Sequence, residues 1–182
     1  MLERRANPSG RAATASVPRI SLGGLRLAVL DIEQTANFMI EMVFPQRRLD
    51  RPLYLTSANG EVLARCSTEP MTDRLFRAAD LINADGQPLV TVSRFKSSTP
   101  LPERVATTDL FHTVARKAAA ARLTFYLFCA DEAENAAAVA NVRRMYPDLQ
   151  IVGSSHGYLK GDALLAKVDE INALAPNYLW VA

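Results

Sequence analysis

The sequence predicts an α/β fold: a mostly parallel sheet with helices on both faces, in a single domain. Three observations carry that expectation. Short apolar runs alternate with helix-like stretches along most of the chain. The connections between them are only a few residues long, the pattern of strand–helix–strand units. The chain has 182 residues, 49% of them apolar and 22% charged, an ordinary globular balance long enough to bury a core.

Taken in order, residues 1–19 are rich in Arg, Ala, Ser and Pro without periodicity and are expected to be a disordered tail. Arg4, Arg5, Arg11 and Arg19 there could meet anionic headgroups or simply be solvated. The folded domain is expected over residues 20–182. It begins with Leu25, Leu27 and Val29 alternating behind a Gly23-Gly24 turn, a short strand or hairpin. Asp31 is placed as an N-cap with Gln34 three residues on, the capping-box spacing. The helix it starts is expected to reach Phe44, before Pro45, with Ile32, Ala36, Met39, Ile40 and Val43 inward.

The stretch 53–90 organises the rest. Leu53, Tyr54 and Leu55 read as a strand, cut off by Thr56-Ser57-Ala58-Asn59-Gly60. Residues 61–79 read as one helix, packing through Val62, Leu63, Leu75, Phe76 and Ala79. Leu81 and Ile82 read as the next strand, followed by Asn83-Ala84-Asp85-Gly86. Pro88 suits the first turn of a helix, and residues 95–102 a polar loop stopped by Pro100 and Pro102. A helix is expected from Asp109 to Ala121, then a strand, LTFYLFC, apolar enough to be buried on both faces. Ala130-Asp131 turns into an alanine-rich helix over 132–145. A strand at 149–152 leads to Gly153-Ser154-Ser155-His156-Gly157-Tyr158, a helix spans 162–174, and a final strand spans 178–181. A covering helix should follow that strand, yet nothing follows Ala182, so a truncated or degenerate form is expected.

Composition excludes several functions. A net charge of +2 is too small to argue for nucleic acid. Cys66 and Cys129 have neither disulfide-framework nor zinc spacing, and a reducing cytoplasm is the simple reading. No apolar run approaches the roughly eighteen residues that span a bilayer, and no secretory signal is present. The glycine fingerprints for dinucleotides and nucleoside triphosphates are missing, as is the G-x-S-x-G of a hydrolase.

Candidate site residues cluster where strands end, the place open α/β sheets bind ligands. Asp85, a carboxylate followed by Gly86, could act as a general base or cap the helix entered at Pro88. Ser57 and Asn59 could bind a sugar or phosphate, or serve turn chemistry. Asp109 fits a helix N-cap. Arg104 could fork onto a diphosphate or make a surface ion pair. His156 and Tyr158 could hold a nucleotide or acceptor. No cluster of metal-ligating residues accompanies His156, so no metal is called for.

The blocks T-S-A-N-G-E, L-I-N-A-D-G, E-R-V-A-T-T-D-L, I-V-G-S-S-H-G-Y and I-N-A-L-A-P-N-Y-L-W-V stand in one order across residues 20–182. In that order the chain resembles the WecB/TagA/CpsF family of bacterial glycosyltransferases. The resemblance implies a Rossmann-like sheet and an inverting transferase; the sequence itself calls for no cofactor. It would move a sugar such as N-acetylmannosamine, or a uronic acid or hexose, from UDP to a polyprenyl-diphosphate-linked saccharide in cell-envelope or exopolysaccharide synthesis. It implies Asp85 as the base on the acceptor hydroxyl. Ser57, Asn59, Gly86, Arg104, Thr108 and Asp109 would line the same pocket, and His156, Gly157 and Tyr158 would lie near the nucleotide. Thr107 stands where the family usually has glycine, and Cys129-Ala130 where it has a glycine-containing turn. The family continues beyond Ala182 with a block and an appendage that contacts the membrane. A cytoplasmic protein, peripheral at the inner membrane face and able to self-associate through its uncovered terminal strand, is therefore expected. The alternative is an inactive remnant that only binds nucleotide-sugar or a partner protein.

Overall fold

The computed structural model describes residues 14–43 and 51–182. Arg4, Arg5, Arg11, Phe44 and Pro45, which carried expectations above, lie outside the described residues. Seven strands and seven helices are present among the described residues, and the strand pairs are mostly parallel, as the α/β class requires. The chain divides into two compact units, Met1–Thr113 and Val114–Ala182.

The first unit opens with a hairpin, β1 (Arg19–Leu22) and β2 (Leu25–Ala28), paired antiparallel. Gly23 and Gly24 both have positive φ, the backbone a two-residue hairpin turn needs and glycine supplies without strain. Residues 14–19, expected in the disordered tail, are ordered: Thr14 is buried, and Arg19 donates to the carbonyls of Thr14 and Asp80. Helix α1 (Ile32–Met42) carries the expected capping box, with Asp31 accepting from Gln34 N and Gln34 Oε1 accepting from Asp31 N.

Strand β3 is Leu55–Ala58 and lies parallel to β4, Leu81–Ala84. Thr56, Ser57 and Ala58 are thus the strand itself, where their small polar character suggested a turn. The expected single helix over 61–79 is two, α2 (Gly60–Thr68) and α3 (Pro70–Ala78). Pro70 disfavours a helical Glu69, which is extended at φ −115°, ψ 102°. Val62, Leu63, Phe76 and Ala79 pack on the core of Leu22, Leu25, Leu27, Ile82 and Val90, as expected. Leu75 instead faces solvent. Helix α4 (Gln87–Lys96) has Pro88 in its first turn and extends through Phe95 and Lys96 into the expected loop. Helix α5 spans Thr107–Ala120.

The second unit is a three-stranded parallel sheet in the order β6-β5-β7, with β5 Thr124–Phe128, β6 Gln150–Ser155 and β7 Tyr178–Val181. Helix α6 (Glu132–Met145) joins β5 to β6, and α7 (Gly161–Leu174) joins β6 to β7. Right-handed crossovers in that strand order put the two helices on opposite faces. The central strand is buried as expected: Phe125, Tyr126 and Leu127 are at most 3% exposed. Phe125 packs against the rings of Tyr178 and Trp180 on one face. Tyr126 points to the other and donates its hydroxyl to Glu170 of α7.

Candidate functional site

In the first unit, parallel pairing brings the C-terminal ends of β3 and β4 level, with Ser57 opposite Asn83 and Ala58 opposite Ala84. Asn59 and Asp85 are the next residues on each strand. Asp85 N donates to Ala58 O, which holds its loop against the end of β3. Asn59 caps α2, its Oδ1 accepting from Val62 N at 3.0 Å. Turn chemistry therefore occupies one end of that amide, while Nδ2 has no partner among the described residues. Gly86 is the N-cap of α4 with φ −177°, an extended backbone open to any residue, and no side chain caps that helix. Asp85 is thus not the cap, and its carboxylate is left for other work. A Cβ at Gly86 would lie 3.6 Å from Asn59 Cβ, an ordinary contact, so glycine here leaves space beside that residue rather than relieving strain.

A third segment completes the arrangement. Leu101 N donates to the buried Ser93 hydroxyl, Glu103 Oε1 accepts from Ile32 N, and Val105 N donates to Ala84 O. Three anchors within five residues fix Arg104 at the strand ends. Its Nη1 lies 3.9 Å from Asp85 Oδ1, and its Nη2 3.0 Å from Asp109 Oδ2. Arg104 and Asp109 are each about half exposed, so the pair itself contributes little stability, on the order of 0–1 kcal/mol.

Asp109 is not the expected N-cap. Helix α5 begins two residues earlier, which puts Asp109 in its first turn, where a carboxylate suits the helix dipole. The first intrahelical bond is Leu110 N to Ala106 O, so the amides of Thr107, Thr108 and Asp109 are free of helical partners. The sequence marks Thr107 only as standing where the family usually has glycine, yet its Oγ1 meets Ser57 Oγ at 2.8 Å. Asn83, on the same sheet face as Ser57, is 3% exposed and its Oδ1 has no partner among the described residues. The available signal was a polar residue inside an otherwise apolar strand.

These residues of the first unit offer a carboxylate 30% exposed, a guanidinium shared between two acids, a hydroxyl pair and a helix N-terminus. Such a set can take a proton from a hydroxyl and neutralise an anion beside it.

His156, Gly157 and Tyr158 belong to the second unit. They follow β6, which runs to Ser155, three residues past its expected end. Gly157 N donates to Ala130 O at 2.8 Å, and Tyr158 N lies 3.4 Å from His156 Nδ1. Tyr158 is 71% exposed. His156 lines a cleft of about 430 Å³ between β6 and α6, with Asn135, Arg143 and Ser154 among the other walls. Asn135 is a second residue the sequence does not single out. It shares an inward stripe with Val139 and Val142, and a polar residue on such a stripe is the signal. Both cysteines are free; burial pushes the Cys66 thiol up. Among the described residues no group of three His, Cys, Asp or Glu side chains gathers as a metal centre, and no helix is long and apolar enough to cross a membrane.

Comparison with known proteins agrees with the motif pattern. The N-acetylglucosaminyldiphosphoundecaprenol N-acetyl-beta-D-mannosaminyltransferase of Bacillus spizizenii is 30% identical over 129 residues, which are 71% of this chain and 49% of that enzyme. The chain spans about half the length of this curated relative. The model of the Glycosyl transferase WecG/TagA/CpsF family matches residues 20–182. That match covers both compact units and every strand and helix after β1, and on it the chain belongs to the WecG/TagA/CpsF glycosyl transferase family.

Proposed function

We propose that the chain carries the catalytic base of a transferase that moves a sugar from a UDP-sugar to a polyprenyl-diphosphate-linked saccharide, with inversion at the anomeric carbon. The observation that carries this reading is Asp85: a partly exposed carboxylate at a strand end, uncommitted to helix capping, with Arg104 3.9 Å away. Asp85 takes the proton of the acceptor hydroxyl. The hydroxyl oxygen bonds to the anomeric carbon as the bond from that carbon to the diphosphate breaks, and UDP leaves. Arg104 and the free amides at the start of α5 neutralise the charge that develops. Ser57, Asn59, Gly86, Thr108 and Asp109 border the acceptor, while His156, Gly157 and Tyr158 border the nucleotide. The relative's name supports an N-acetylmannosamine-type donor and a diphosphoundecaprenol-linked acceptor. Work on a lipid-linked acceptor suits a peripheral place at the inner membrane face. The exposed Leu179 and Val181 of β7 suit self-association.

The test is UDP release from UDP-N-acetylmannosamine with a soluble N-acetylglucosaminyl-diphospholipid, comparing the chain with Asp85→Asn. Loss of the base lowers kcat by about 10²–10⁴-fold while UDP affinity is retained. Undiminished turnover by Asp85→Asn removes Asp85 from the mechanism. UDP binding without turnover by the unaltered chain favours the binding-only alternative.

A further inference from the structure

The cleft beside β6 contains one side chain whose hydrogen-bonding direction is dictated by its surroundings. Asn135 is only 5% exposed. Its Nδ2 lies 3.2 Å from Cys129 O, 3.1 Å from Ser155 O and 3.1 Å from Cys129 Sγ. Two carbonyl oxygens can be met only by the amino end of a carboxamide, so Oδ1 must face away from them. Oδ1 has no hydrogen-bond partner among the described residues. Unlike the sealed Oδ1 of Asn83, it is not cut off from solvent, and the residue lines the cleft. The result is a rigid, acceptor-only contact on a half-apolar wall, with Ala136 and Val139 beside it. Around it stand two donors, the Arg143 guanidinium, which has no carboxylate partner among the described residues, and His156; the Glu132 carboxylate also lines the cleft, and the Ser155 hydroxyl donates to His156 O.

We infer that the Asn135 carboxamide oxygen accepts the N3–H of a uracil ring seated in this cleft and thereby sets the nucleobase specificity of the donor substrate. The inference rests on the UDP-sugar reading above and names the residue that would enforce it. The Watson–Crick edge of uracil presents acceptor, donor, acceptor: the C2 carbonyl, N3–H and the C4 carbonyl. A fixed acceptor with donors beside it is the complement of that edge. Cytosine would set the N3 lone pair against Oδ1 and its amino group toward the donors, leaving buried polar groups unpaired. A volume of about 430 Å³ is in the range of small-molecule sites and accommodates a nucleoside. The flat ring lies on the Ala136 and Val139 wall.

The experiment is calorimetric titration of the 182-residue chain with UDP, CDP and N3-methyl-UDP. UDP is expected to bind about 10–100-fold more tightly than either competitor, the size of effect an unpaired buried polar group produces. The Asn135 side-chain NH₂ resonances, followed by ¹⁵N NMR, are expected to shift on adding UDP. In Asn135→Ala, with its fold checked by circular dichroism, the preference for UDP over N3-methyl-UDP disappears. If that variant does not fold, the ligand pair on the unaltered chain and the NH₂ shift decide. UDP binding with N3-methyl-UDP bound equally well overturns the Asn135 assignment and leaves the UDP-sugar reading standing. No binding of UDP at millimolar concentration overturns both.

Discussion

Replacing Ala130 by glycine should stabilise this protein, although the same replacement inside a helix should weaken it. Ala130 sits between β5 and α6 with φ +51°, the left-handed region where an L side chain crowds the following carbonyl. The conformation is held from both sides, because Ala130 N donates to Ala182 O and Ala130 O accepts from Gly157 N. Left-handed backbone costs an L residue about 1–2 kcal/mol, which glycine avoids. Against this, glycine's freer unfolded chain costs about 0.4–1 kcal/mol. The half-buried methyl takes back a further fraction of the roughly 0.8 kcal/mol a buried methylene contributes. The balance favours Ala130→Gly by about 0.5 kcal/mol. Ala137, exposed within α6, is the control, where glycine costs about 1 kcal/mol of helix propensity. Urea denaturation followed by circular dichroism reads both, with unchanged slopes as the check that the unfolded state is comparable. The two variants should differ by about 1.5 kcal/mol, with opposite signs relative to the unaltered chain. Equal destabilisation by the two would show that Ala130 is not strained.

Three further outcomes follow from single residues. A Cβ on Gly153 would overlap Tyr126 Cε2 and lie 2.7 Å from Cδ2, so Gly153→Ala should cost about 1–3 kcal/mol in a thermal melt by displacing a packed ring; an unshifted Tm would mean the ring yields freely. The Tyr178 hydroxyl is buried with no partner among the described residues, and desolvation alone pushes its pKa up. A raised folded pKa means stability intact below the ordinary tyrosine pKa of about 10 and lost as pH climbs past it. Tyr178→Phe should therefore gain about 1 kcal/mol at neutral pH and flatten the alkaline limb of a stability–pH curve; a loss at neutral pH would show that the hydroxyl is satisfied. Glu170 accepts from Lys167 and Tyr126, and both hold its pKa below the usual carboxylate value. Its contribution is present above that value, about 4.3, and lost as pH falls below it. Glu170→Gln should make stability less steep between pH 5 and 3, and an unchanged acid limb would argue against the pairing.

Much of this architecture could be read from the chain because local signals agreed with one another. Helix α6 begins and ends where its composition predicts, since Asp131 caps it by accepting from Glu134 N and Pro147 follows it. The capping box of α1 and the glycine hairpin are equally local. The misreadings arose where tertiary pairing outweighed local preference. Thr56, Ser57 and Ala58 form a strand because β4 pairs with them, while their own chemistry suits a turn. The break at Pro70 was marked by that proline, but the apolar positions on either side of it imitate one continuous helix. The course of residues 101–106 depends on Ser93, Ile32 and Ala84, partners that no window of sequence reveals. Asp85 and Arg104 could each be named from the sequence, but not the 3.9 Å between them.

Asn83 shows why the polar strand ends are better read as a site than as a defect. Ser57 and Asn83 face the same side of the β3–β4 pair, and β4 is otherwise Leu, Ile and Ala, buried throughout. Ser57 finds the Thr107 hydroxyl, but Asn83 Oδ1 finds no partner among the described residues, at a cost of about 1–3 kcal/mol. A leucine or valine would fill the same strand position without that loss. A chain that keeps an unsatisfied amide two residues from its candidate base breaks a packing rule where chemistry is expected, the usual location of such violations. Stability favours an apolar residue at position 83, so Asn83 is a local violation of the kind that marks a candidate site.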